Sequence, residues 1–173
     1  MRTRPTRLFA LGPVTLAALA AAGCSSGAPA SPAANFAPVI TDSAPAIGAI
    51  VDGKAAPPTF TLSVTDPNVE DDLHVRFLAD FPPETANTRA LVPDEVISHR
   101  SDGKPILQDV TFTPSCSVDN LAKIPQHQIM AVVADRPFDD SPPPAGMPAD
   151  FTKLLDPDGH EVIATWTLDL ECP

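Results

Sequence analysis

The chain has 173 residues, 11 Lys and Arg against 22 Asp and Glu, a formal charge of −11 at pH 7, and 43% hydrophobic residues. That length holds one domain, since a domain takes roughly 100–200 residues, and the apolar content argues against wholesale disorder. The acidic balance disfavours nucleic-acid binding, which needs clustered cations, and 22 prolines are too many for a helical bundle.

In chain order, the first segment stands apart from the fold. Arg2, Arg4 and Arg7 form a basic start, Leu8 to Ala22 carries no charge, and Ala20, Ala21, Ala22 and Gly23 lead into Cys24. This is the layout of a secretory signal peptide over residues 1–23. Its apolar run is 15 residues long, shorter than the roughly 20 that a membrane-spanning helix requires. The alternative, a buried core helix, is opposed by Gly12-Pro13 and by the lack of a polar face.

Leu19 to Cys24 resembles the lipobox of bacterial lipoproteins, with Ala21 standing where Leu is commoner. The resemblance implies cleavage just before Cys24 and attachment of acyl chains, palmitate among them, to the new terminus. Cleavage by an ordinary signal peptidase after Ala22 or Gly23 is the alternative. Ser25 resembles the outer-membrane sorting choice, which implies a cell-envelope protein facing the periplasm or the cell surface. Residues 24–35 are rich in Ser, Ala and Pro and read as a flexible tether. Removing residues 1–23 takes away three cations and no acids, leaving a formal −14. So acidic a surface repels anionic lipid, and membrane attachment then depends on more than one acyl chain at Cys24.

Residues 36–173 form the domain, and its elements alternate with a period of two. Phe36 to Thr41 opens it. In Thr59 to Thr65 the even positions are apolar and the odd ones hydroxylated. From Leu73 to Phe81 the odd positions share one face, with His74, Arg76 and Asp80 on the wet side. Val96 to His99 reads as a short edge strand. Ile106 to Cys116 puts Ile106, Val110, Phe112 and Cys116 together. Gln128 to Ala134 is apolar on both faces, as a central strand would be. Val162, Ala164, Trp166, Leu168, Leu170 and Cys172 make the inner face of the last strand. Turn formers stand between: Asp52-Gly53, Asp66-Pro67-Asn68, Ser101-Asp102-Gly103 and Asp156-Pro157-Asp158-Gly159. About seven strands predict an all-β two-sheet sandwich. Val118 to Ile124 offers one turn of helix, and Arg136 to Met147 reads as a proline-rich surface loop.

With Cys24 given to lipid, Cys116 and Cys172 remain as an even pair, each continuing the inner face of its strand. In an exported protein that parity predicts a disulfide, worth about 4 kcal/mol in the chain-entropy model. Two unpaired buried thiols are the alternative.

Ala37-Pro38-Val39-Ile40, Phe60 to Asn68 leading into Asp72 to Phe77, and His127 to Asp135 together resemble bacterial immunoglobulin-like and cadherin-like extracellular domains. The resemblance spans most of residues 36–172. It implies an immunoglobulin-like β-sandwich serving as a spacer, adhesion module or binding platform.

Asp66, Asn68, Glu70, Asp71 and Asp72 crowd five oxygen-bearing side chains into seven residues, a composition that suits calcium. A solvated turn is the plainer reading. Asp135, Asp139 and Asp140 form a second acidic group able to join the first if both loops lie at one end. Arg136 and Phe138, at the base of the proline-rich loop, suit contact with a protein partner, or Phe138 instead caps the core. Ser98-His99 is adjacent and therefore splayed in a strand, and G-x-S-x-G, H-E-x-x-H and phosphate-cradling glycine loops do not occur. These readings predict a non-enzymatic, membrane-anchored structural or protein-binding module of the envelope without a required cofactor. A calcium-dependent adhesion or glycan-binding domain is the alternative, and a hydrolase comes third.

Overall fold

The structure, a computed structural model, describes residues 34–80, 89–91, 94–117, 119, 121, 124–142, 145 and 149–170. The expected signal segment 1–23, Cys24, Phe81 and Cys172 lie outside the described residues, as does most of the stretch read as a tether.

Among the described residues the chain is all-β, with nine strands in two sheets rather than about seven. The first sheet has the order β1 (Val39–Ala44), β3 (Phe60–Thr65), β7 (Leu107–Phe112). The second has the order β2 (Ile50–Asp52), β9 (Glu161–Asp169), β8 (His127–Ala134), β4 (Leu73–Ala79), β5 (Arg89–Ala90), and β6 (Glu95–Ile97) also pairs with β4. All pairings are antiparallel except that of β2 with β9. The opening segment therefore serves both sheets. After β1 it passes a cis Ala44–Pro45 bond, turns at Gly48 with φ +82°, and lays β2 along β9.

The alternation read from the sequence is the alternation that packs. Phe60, Leu62 and Val64 are fully buried while Thr61, Ser63 and Thr65 stay half-exposed. They face Val75, Phe77, Ile129, Ala131 and Trp166 across the sandwich. The rings of Phe60 and Trp166 lie 5.0 Å apart and tilted, and those of Phe77 and Phe112 are stacked at 4.7 Å. Such pairs add about 0.5–1.5 kcal/mol beyond the apolar area they bury. The indole of Trp166 donates to the carbonyl of Pro45 at 3.0 Å, so the largest buried aromatic also fixes the crossing between sheets.

β8 lies in the interior of its sheet, and both its faces are covered. A second apolar cluster on the outer side joins Leu78, Met130, Val132 and Ala134 to Phe138, with Phe151 and Leu154 packed against it. The loop after β8 folds back there, held by the bridge between Phe138 and Leu154. This corrects the placement of Arg76 on the wet face. The alternation is right, but the loop roofs that face, and Arg76 is only 3% exposed.

Most of the expected helical turn over Val118 to Ile124 lies outside the described residues; at its start a turn is closed by the Asp119 amide donating to the Ser115 carbonyl at 2.9 Å. Cys116, half-buried against the main core, is disulfide-bonded.

Candidate functional site

β3, β8 and the start of β9 bring acidic side chains to one end of the sandwich. β3 runs directly into Asp66 and β8 into Asp135, because each strand's last buried position is followed by a turn. His160 precedes β9, which pairs with β8 in the register Ala134↔Glu161. The His160 amide accordingly donates to Asp135 Oδ1 at 2.7 Å, and the Asp135 amide donates to the His160 carbonyl at 3.1 Å.

The five oxygens of the acidic turn do not converge. Asp66 is fully buried, and its Oδ1 accepts the Asn68 amide at 2.6 Å in an Asx turn. Asn68 reaches back to the start of the domain: its Oδ1 accepts the Phe36 amide at 2.9 Å and its Nδ2 donates to the Ala34 carbonyl at 3.1 Å. Glu70 is exposed. Asp71 pairs with Arg136 Nη1 at 3.0 Å. Asp72 Oδ1 accepts the backbone amide of His99 and contacts its Nδ1, both at 2.7 Å, which holds the Asp72 carboxyl below its ordinary range. Among the described residues no group of three His, Cys, Asp or Glu side chains is arranged to hold a metal ion.

A different set of oxygens is buried without partners at the same end. Asn35 Oδ1, Asp66 Oδ2 and Asp135 Oδ2 accept no hydrogen bond. Asp135 is 2% exposed, and His160 Nδ1 stands 3.6 Å from its Oδ2. Asn35 belongs to the group through its neighbours: residues 34 and 36 both bond Asn68, and Asn35 Nδ2 donates to the Asp158 carbonyl at 3.2 Å. Burial pushes the Asp66 carboxyl up, and the nearby negative charges of Asp71 and Asp135 push the same way. A buried carboxylate oxygen with no donor is costly, and a proton, a water or a cation relieves the cost. Of the second acidic group, Asp135 therefore reaches the first. Asp139 turns to Lys153 at 2.6 Å and Asp140 to Arg76 at 2.7 Å.

Sequence reasoning missed Asn35, which falls in a stretch read as tether, and no local pattern marks it.

The two residues of the suggested partner contact sit as follows. Phe138 is 3% exposed, and its ring lies 4.2 Å from the guanidinium carbon of Arg76. Arg136 is half-buried, with Asp71 at 3.0 Å and Asp156 at 3.6 Å. Contact between Phe138 and an outside partner requires this loop to lift. His99 borders a shallow groove with Val69, Glu70, Arg100, Ser101 and Gly103, open to solvent.

The chain matches no family model, no curated protein and no solved structure.

Proposed function

We propose that this chain is a non-enzymatic lipoprotein of the bacterial cell envelope that displays an immunoglobulin-like sandwich on a tether anchored through Cys24. The observation that carries the domain reading is the split opening segment, β1 in the three-stranded sheet and β2 parallel to β9 in the other. With it come a β3–β7 pair facing a β4–β8–β9 sheet, the arrangement of strands B–E against C–F–G in immunoglobulin-like domains. The domain departs from the antibody pattern in its disulfide, since Cys116 follows β7 and the proposed partner Cys172 follows β9, and in having no Tyr for a tyrosine corner. Fold alone leaves the task open; the leader, the lipobox and the tether support a display role. Fractionation of cells producing the protein and its Cys24→Ala variant tests it. The wild type stays with the outer membrane and the variant is released; equal release of both would overturn the reading.

A second reading, a calcium-dependent adhesion or glycan-binding role, is favoured by one observation: the three unpartnered oxygens of Asn35, Asp66 and Asp135. Calcium takes six to eight oxygens, so these three would be completed by backbone carbonyls and water. The ligand set differs from the turn residues read from sequence, keeping Asp66 and adding two. A cation bound to the folded state raises the melting temperature by mass action, so calcium should raise it and chelator lower it; identical melting in both would remove this reading.

A further inference from the structure

We infer that Arg136 is a built-in competitor for a divalent cation at the Asn35, Asp66 and Asp135 oxygens, holding the affinity of that site low. The inference rests on the cation reading above and adds what limits it. Arg136 follows Asp135 directly, and its guanidinium lies 3.0 Å from Asp71 and 3.6 Å from Asp156. Its Nη1 also donates to the Asp135 carbonyl at 2.6 Å, which folds the side chain back over the strand end. The stem is packed as well: a Cβ built at Gly159 would stand 2.8 Å from Arg136 Cγ, so the backbone there lies close against the arginine.

The result is a fixed positive charge among Asp66, Asp71, Asp135 and Asp156. A divalent ion entering beside it meets repulsion that a neutral side chain would not exert. The buried oxygens of Asp66 and Asp135 supply the attraction, since neither has a donor, and Arg136 offsets part of it without bonding either of those atoms. A site tuned this way fills only where the cation is abundant, as it is outside cells, where modules bind calcium at roughly 10⁻⁴–10⁻³ M.

The test is calcium titration by calorimetry on the whole protein in detergent, for the wild type, Arg136→Gln, Arg136→Met, which keeps the packed stem, and Asp135→Asn. Asp135→Asn preserves an acceptor for the His160 amide. The account predicts weak but measurable binding by the wild type, affinity increased roughly tenfold or more in whichever Arg136 variant folds, and none in Asp135→Asn. Equal affinity in the wild type and the Arg136 variants would overturn the competitor role while leaving the cation reading intact. No binding by any Arg136 variant would overturn the cation reading and this inference with it.

Discussion

Arg76 and Asp94 form a two-point ion pair, Nε to Oδ1 at 2.6 Å and Nη2 to Oδ2 at 2.7 Å, on the outer face of the larger sheet. The same guanidinium donates to the Phe151 carbonyl at 2.9 Å and to Asp140 at 2.7 Å, and lies against the Phe138 ring. One side chain on β4 thus ties down the chain before β6 and both ends of the loop after β8. A charge so enclosed is tolerable because each of its three nitrogens donates to an oxygen, two of them to Asp94.

Arg76→Ala leaves Asp94 without its partner and removes the anchor of the roof over Leu78, Met130 and Val132. The expected loss is about 3 kcal/mol in urea unfolding, the range for breaking a buried pair from one side. Asp140→Asn should cost under about 1 kcal/mol, because Asp140 is mostly exposed. Equal losses in the two variants would contradict the anchoring role.

Gly53 closes β2 against β9. Its amide donates to the Asp169 carbonyl at 2.8 Å, and an added Cβ would stand 2.9 Å from Leu168 Cδ1 and 3.2 Å from that carbonyl. Gly53→Ala should therefore speed amide exchange in β2 and at the end of β9 while leaving β4 protected, since the parallel edge opens alone. Unchanged exchange in β2 would show that the contact relaxes freely.

The pH dependence follows from four burial effects, at Asp66, Asp119, Glu161 and His74, and two exposed pairs. Burial raises the carboxyls of Asp66 and Asp119 above their ordinary 3.8. Such groups bind protons more readily folded than unfolded, so their contribution is full below 3.8 and is lost as pH rises through the raised values. Burial lowers His74 below 6.5, and its contribution is lost as pH falls through the lowered value. Asp72, bonded by His99, and Asp102, brought to about 2 by Arg100, contribute above 3.8 and lose that contribution as pH falls through their lowered values. In chelator a first limb of added stability should appear as pH falls through the raised values of Asp66, Asp119 and Glu161, partly offset by His74, followed by a loss in stronger acid as Asp72 and Asp102 take up protons. Asp66→Asn should flatten the first limb; an unaltered limb would show that Asp66 is not its source.

The strands legible in the sequence were those whose burial is set by the opposite sheet. Phe60, Leu62 and Val64 alternate because one layer covers them, and β8 reads as apolar throughout because two layers do. β2 and β5, of three and two residues, are too short to show a period. Arg76 could not be placed, since what buries it is a loop far along the chain. The candidate site was half legible: Asp66 and Asp135 lie at strand ends marked by turn residues, but Asn35 joins them only through Asn68 and the Asp158 carbonyl.

The measurement that bears most directly on the account is the intact mass of the protein taken from membranes without reductant. A lipid-anchored, oxidised sandwich predicts a chain beginning at Cys24, heavier by its acyl groups and lighter by two hydrogens, with Cys116 and Cys172 joined in one peptide pair after digestion. A chain beginning at Gly23 or Cys24 without added acyl mass would contradict the anchor, and Cys116 paired with any residue other than Cys172 would contradict the proposed closure of the domain.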